Sequence, residues 1–246
     1  KSGSENFTEI LIQQLRSPYP EVRIYAAKSI ERLKINEALS EIKVLFQKDA
    51  VPNVRQIAAC TWSALSKNAK DALKLVNSPD TNTSHGVVVG LLRTRKINEV
   101  QEAYQHLRSL AGSEHAHEKL QAANLLVEIA NPQMVEVLTP LLQDESIEVK
   151  KAALRAAAKT HHPDVYPLVI AALASPQTRS LAFNALVAGR ETALPEIIRS
   201  IKDESLHRRI HLRLVRACAH IKGDAVHVLR RRRQFEGGPL HLLALV

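Results

Sequence analysis

Glycine and aromatic residues are scarce in this chain, at 8 glycines and 4% aromatics among 246 residues. Alanine and leucine dominate instead, the composition of helices packed closely through small side chains. No run of about 18 uncharged apolar residues exists, so no segment is expected to span a membrane. No secretory signal is visible. Only two cysteines occur, Cys60 and Cys218, both flanked by alanine on expected second helices. A free cysteine there behaves as a small hydrophobe, so both are expected to be buried, reduced thiols in a cytoplasmic protein. A Gly-rich phosphate loop, a G-x-S-x-G elbow and a cysteine pair with metal spacing are all missing. No catalytic residue, cofactor or metal is therefore expected. Disorder is excluded too, because 45% apolar content is enough for a continuous core.

The formal net charge is +9, and it is unevenly placed. Residues 190–246 hold 12 Lys or Arg against 6 Asp or Glu, which leaves +3 for everything before them. A basic region of this kind attracts nucleic acid, anionic lipid or an acidic protein surface, or is simply a solvated face. The chain begins Lys1-Ser2-Gly3-Ser4, its only methionine is Met134, and it stops in the apolar run Leu242-Leu243-Ala244-Leu245-Val246. A longer natural protein is expected.

What the chain has in abundance is one repeated hairpin. Its clearest copy is Val137 to Asp164, with Val137, Leu138, Leu141 and Leu142 on a first helix and Val149, Ala153, Ala156 and Ala157 on a second. A basic residue after the turn marks each copy: Arg23, Arg55, Lys119, Lys150, Arg179 and Arg209, with Gly86 holding the place in a degenerate third copy. The marker spacings are 32, 31, 33, 31, 29 and 30 residues. A small polar residue suited to capping lies six positions earlier in most copies, at Ser17, Asp49, Asp80, Ser113, Asp144 and Asp203; the sixth copy has Ser175 four positions ahead. These markers divide a single repeat domain, residues 1–246, into units at about 7–33, 37–66, 69–95, 97–130, 132–160, 163–188 and 191–221, with a partial unit at 223–246.

In the third unit the polar stretch Ser78 to Ser84 reads as a lengthened turn, leaving a short apolar second helix from Val87 to Leu92. Trp62 falls at helical spacing with Ala58 and Leu65 and reads as core. Gly189 reads as a helix stop. The eighth unit begins with Ala225, Val226 and Leu229 and reaches Arg230-Arg231-Arg232-Arg233, which reads as an electrostatic patch.

An apolar helix, a turn of the form D-x-x-x-x-V-R/K and an Ala-rich helix every 30 or so residues resemble the short HEAT-like repeats of the PBS-lyase type. The match spans residues 7–229, best in QDESIEVKKAALRAAA and poorest in the third unit. The resemblance implies an all-α fold, a right-handed alpha-alpha superhelix of the HEAT/armadillo-like solenoid class with about seven to eight hairpins, second helices lining the concave side. It also implies a structural ladder of turn acids and basic markers, involving Asp49, Asp144 and Asp203 with Arg55, Lys150 and Arg209. More narrowly, residues 185–226 look like the cytosolic HEAT segment of large bacterial proteins that resemble ADP/ATP-carrier transporters.

Three histidine groupings were weighed as sites. His207 and His211 lie four apart on a helix, a spacing that can serve one metal, but no third ligand accompanies them. His115, His117 and Glu118 hold one His-Glu pair, where the similar iron-binding deoxyhypusine hydroxylases need several. His161-His162-Pro163-Asp164 reads as an interhelical turn. The remaining candidate is a stripe on the second helix of the seventh unit, Arg209, Arg213, Arg216 and His220, at offsets 0, 4, 7 and 11 on one face. Arginine can bind carboxylate or phosphate in bidentate fashion, so the stripe is the expected partner-binding site. The chain is thus expected to be a non-catalytic interaction scaffold or regulatory solenoid whose partner is an acidic protein or another domain of the same longer chain, possessed of no membrane-inserting segment. The alternative is a nucleic-acid-binding protein similar to the alkylpurine DNA glycosylases, which also use HEAT-like repeats; one tryptophan and basic charge gathered at one end count against it.

Overall fold

The computed structural model of the protein describes residues 2–95 and 97–221. The expected eighth unit and its Arg230–Arg233 run lie outside the described residues, as does Lys96. Among the described residues the architecture is all-α, a succession of helical hairpins without a strand. By internal contacts the chain forms two compact units, Lys1–Val137 and Leu138–Val246.

The first compact unit holds four hairpins: α1 (Ser2–Gln14) with α2 (Pro20–Leu33), α3 (Leu39–Lys48) with α4 (Pro52–Leu65), α5 (Ala69–Leu73) with α6 (Thr81–Thr94), and α7 (Gln101–Ala111) with α8 (Ala116–Ile129). Each first helix packs on its own second helix, and the second helices α2, α4, α6 and α8 pack side by side in sequence order. Helix α9 (Val135–Gln143) carries the boundary. In the second compact unit α10 (Ile147–Thr160), α12 (Arg179–Gly189) and α14 (Arg208–His220) form the second-helix layer, with α11 (Tyr166–Ala171) on α12 and α13 (Leu194–Ile201) on α14. Alanines such as Ala58, Ala59, Ala122, Ala123, Ala152 and Ala153 are fully or nearly fully buried, which lets the layers approach closely. Trp62 is core, tilted against Phe46 with ring centroids 5.4 Å apart.

The polar residue before each second helix works differently from a helix cap. Asp49 accepts the Val51 N–H at 2.9 Å, Ser113 that of His115 at 3.0 Å, Asp144 that of Ser146 at 2.9 Å and Asp203 that of Ser205 at 3.0 Å. Each is a turn closed two residues on, which hands the chain to the helix start. Asp80 is the exception, a true N-cap whose carboxylate accepts from the Thr83 N–H at 3.2 Å and the Thr83 hydroxyl at 2.6 Å.

That cap overturns the expected third unit. Instead of a long turn and a short helix, α6 runs the full 14 residues from Thr81. The polar run is helical because its hydroxyls are satisfied on the spot: Ser84, though buried, donates to the Val76 carbonyl, and Thr83 to Asp80. Gly86 is then the sixth residue of α6, two positions deeper than Arg23 in α2 or Arg55 in α4, and it lies against α4. A Cβ there would collide with the Gln56 carbonyl oxygen and lie 2.9 Å from the Ala59 Cβ; at Gly90 it would collide with Ser63 Oγ and the Cys60 carbonyl oxygen. The pair Gly86 and Gly90, four apart on one face, therefore sets a close α4–α6 approach. Gly189 serves a similar purpose, and its φ of −66° is ordinary; a Cβ there would lie 2.8 Å from the Tyr166 ring.

The implied ladder exists in the first compact unit, where it links one hairpin to the next. Arg23 bonds Asp49 through Nε at 2.7 Å and Nη2 at 2.9 Å, while its Nη1 donates to the Ser17 carbonyl of its own turn at 2.8 Å. Arg55 repeats this with Asp80 at 3.0 and 3.1 Å and with the Asp49 carbonyl at 2.9 Å. The hydrogen bonds from Arg55, then those from Thr83 and Asn82, hold the Asp80 carboxyl well below the usual carboxylate range. At the seventh hairpin neither Asp203 nor Arg209 forms a rung of the ladder among the described residues. The Asp203 carboxylate instead takes the Ser205 N–H and hydroxyl, and His211, the fourth residue of α14 as Arg55 is of α4, donates through Nε2 to the Asp203 carbonyl at 3.0 Å.

Helix α8 ends on Ala130 in the left-handed conformation, φ 49° and ψ 40°, with its N–H bonded to the Leu126 carbonyl at 3.0 Å. Alanine meets a steric cost there that glycine does not. Ala130 is exposed, so Ala130→Gly is expected to stabilise the protein by about 1 kcal/mol, read as a higher urea midpoint at unchanged slope; a lower midpoint would sink the argument.

Candidate functional site

Helix α14 begins where His207 Nδ1 accepts the Arg209 N–H at 3.1 Å, and it buries Ile210, Leu214 and Ala217 against α13 and α12. The stripe runs along the flank of that buried series. Arg209 and Arg216 are exposed, and neither guanidinium meets a carboxylate among the described residues. Arg213 is half-buried and committed elsewhere, donating through Nη1 to the Leu173 carbonyl at 2.8 Å just past the end of α11. It fastens α14 to the preceding hairpin. His220 is exposed with its ring edge-on to Phe183 of α12, centroids 5.6 Å apart. The structure thus divides the four residues into two open cations, one structural cation and one aromatic contact. Phe183 is the member that sequence spacing missed, although it sits four residues after the marker Arg179 as Arg213 sits four after Arg209.

The histidine groupings take up local structural bonds. His207 caps α14 and His211 bonds the turn carbonyl, so the two imidazoles do separate work. His115 and His117 stack 5.6 Å apart at the exposed start of α8. His161 is the left-handed cap of α10, and His162 Nδ1 accepts the Asp164 N–H at 3.3 Å. Among the described residues no group of three His, Cys, Asp or Glu could hold a metal ion. No described helix is long and apolar enough to cross a membrane.

Cys60 is buried on α4, and burial pushes its thiol up to about 12 even though Arg93 Nη2 lies 3.2 Å from its sulfur. A thiol so far from ionisation is a packing group. Cys218 is half-buried rather than buried, and its thiol is also raised, chiefly by desolvation. In the first compact unit the second-helix layer is strapped by side chains that reach over an intervening helix. Arg93 of α6 bonds Glu31 of α2 across α4, and Gln56 of α4 donates to Glu128 of α8 at 3.3 Å across α6. The close α4–α6 approach at Gly86 and Gly90 shortens both spans.

Residues 104–188 match the family model of HEAT repeats. No curated protein gives a match to the chain. Among solved structures, the crystal structure of an engineered protein is similar at 19% identity and a TM-score of 0.42, covering 87% of this chain and 96% of that one. The sequence period, the succession of hairpins and the family match agree that residues 104–188 are HEAT repeats, set in a chain of helical hairpins.

Proposed function

We propose that the protein is a non-catalytic interaction scaffold whose partner is an acidic protein surface recognised at α14. HEAT repeats commonly mediate protein interactions, and a stack of hairpins presents a long surface from short repeated elements. The observation that carries the reading is the pair Arg209 and Arg216, exposed on one helix flank with no carboxylate partner among the described residues. Guanidinium groups left open in this way suit bidentate recognition of carboxylates. Arg213 does not belong to the recognition set, since its guanidinium already serves the Leu173 carbonyl. A further domain of a longer chain, as the resemblance of residues 185–226 implies, would meet the same surface.

A pull-down with the full chain as bait tests this. Arg209→Glu/Arg216→Glu is expected to lose its captured partner at physiological salt, while the wild type keeps it. Unchanged recovery by the double variant would remove the stripe from the reading. Loss with Arg213→Gln is interpretable only alongside a melting curve, because that residue also fastens α14.

A further inference from the structure

The second-helix layer of the second compact unit differs in charge from that of the first. Helices α12 and α14 contain no Asp or Glu at all, and α10 contains one, Glu148, which is paired with Lys151 at 2.8 Å. In the first unit α4 and α6 likewise contain none, but α2 carries Glu21 and Glu31 and α8 carries Glu118 and Glu128. Exposed cations of α10 and α14 stand in two banks. Arg155 and Lys159 are exposed at i and i+4 on α10, on the side opposite buried Ala153 and Ala157. Arg209 and Arg216 are exposed on the flank of α14 that looks back over α12 towards Phe183, as the His220 contact shows.

Helix α12 packs between α10 and α14 and separates the banks. Ser180 and Asn184 are exposed on it and Phe183 is half-buried beside them, while the exposed Arg179 stands at its start, four residues before Phe183. Neighbouring helices in such layers lie about 8–10 Å apart, so the banks stand roughly 20 Å from each other across α12. A helix with its side chains is about 10–12 Å wide. One helical peptide lying over α12 would therefore face a basic bank on each flank and Phe183 beneath it.

We infer that α10, α12 and α14 form one docking surface for an acidic, amphipathic peptide segment, with carboxylates on two flanks and an apolar residue set on Phe183. This deepens the scaffold reading and rests on it: the stripe on α14 becomes one of two banks, and α10 supplies the other. A peptide fits better than nucleic acid because apolar surface lies between and beside the banks, at half-buried Phe183 and at exposed Leu212 next to Arg209 and Arg216. An apolar peptide side chain can cover that surface, whereas a phosphodiester backbone has no apolar group to set on it.

The test is fluorescence anisotropy with the full chain and a labelled synthetic helical peptide carrying glutamate on two flanks of a leucine face. At physiological salt, Arg155→Glu/Lys159→Glu and Arg209→Glu/Arg216→Glu are each expected to weaken binding about tenfold or more, and Phe183→Ala several-fold. The control reversal Lys43→Glu/Lys67→Glu, at exposed positions of the first compact unit, should leave affinity within about twofold. Equal weakening by the control would overturn the surface in favour of diffuse charge, and so would a peptide that fails to bind at low salt. If only the α14 pair matters, the two-bank surface fails while the scaffold reading stands; unchanged pull-down recovery would be the separate failure of that reading. A short DNA duplex bound more tightly than the peptide would overturn the partner class. Circular dichroism melts accompany every variant, and Arg155→Gln/Lys159→Gln replaces the reversal if the latter fails to fold.

Discussion

Gly90→Ala is expected to unfold at a clearly lower urea midpoint than the wild type, although alanine is the better helix former. In an open helix the exchange would gain about 1 kcal/mol. Here the added methyl would strike Ser63 Oγ and the Cys60 carbonyl oxygen and lie 3.1 Å from the Ala64 backbone nitrogen. Two of these three atoms belong to the α4 backbone, which cannot step aside as a side chain can. The third, the buried Ser63 hydroxyl, bonds the Cys60 carbonyl at 3.0 Å and the Val87 carbonyl at 3.3 Å, so displacing it costs hydrogen bonds as well. Overpacking of this kind typically costs about 1–3 kcal/mol, and the loss of the Ser63 bonds places Gly90→Ala near the upper end. Helices α4 and α6 would be pushed apart, and the Arg93–Glu31 and Gln56–Glu128 straps loosened with them. Gly112→Ala is the internal comparison: its Cβ would meet the Arg108 carbonyl oxygen at 3.4 Å and that of Ser109 at 4.0 Å, ordinary contacts. That variant is expected to stay within about 0.5 kcal/mol of the wild type. A Gly90→Ala midpoint at or above wild type would show that α4 and α6 are not in contact through these glycines.

The same glycines show where sequence reading stopped. The repeat period was legible because two marker types recur in most hairpins, and both have local physical causes: a turn that closes two residues on, and a basic side chain that returns to the turn carbonyl. Spacing says nothing about which neighbouring hairpin a guanidinium reaches, so the direction of the Arg23–Asp49 and Arg55–Asp80 rungs could not be read from it. Polar composition misassigned Thr81 to Ser84, because hydroxyls that look solvated in sequence are satisfied by Val76 and Asp80 in the fold. The signal that could have corrected it was Gly86-Val87-Val88-Val89-Gly90, a small-x-x-x-small spacing that belongs in a helix pressed on another. At the candidate site, offsets placed Arg209, Arg213, Arg216 and His220 on one flank of α14. They could not reveal that Arg213 is taken up by Leu173 or that Phe183 faces His220, since both partners lie more than 30 residues away in sequence.

Asp49→Ala is expected to be the costliest change in the ladder, at about 3 kcal/mol or more. The Asp49 side chain is only 6% exposed and that of Arg23 13%. The carboxylate accepts two guanidinium bonds and, on the same side chain, the Val51 N–H that closes the turn before α4. Alanine would leave the Arg23 charge buried with only the Ser17 and Pro18 carbonyls and would open that turn, so both the ion pair and the helix entry suffer. The second rung is wetter, its side chains 22% and 32% exposed, and Arg55→Met is expected to cost clearly less than Asp49→Ala. Burial, and not the mere presence of a salt bridge, is the quantity that separates the two. A double variant tests this directly: in Arg23→Met/Asp49→Ala no charge is stranded, so urea unfolding should find it more stable than Asp49→Ala alone. If Asp49→Ala costs no more than Arg55→Met, or if the double variant is the less stable of the pair, the first rung is not a buried ion pair and the hairpins are joined by their apolar faces alone.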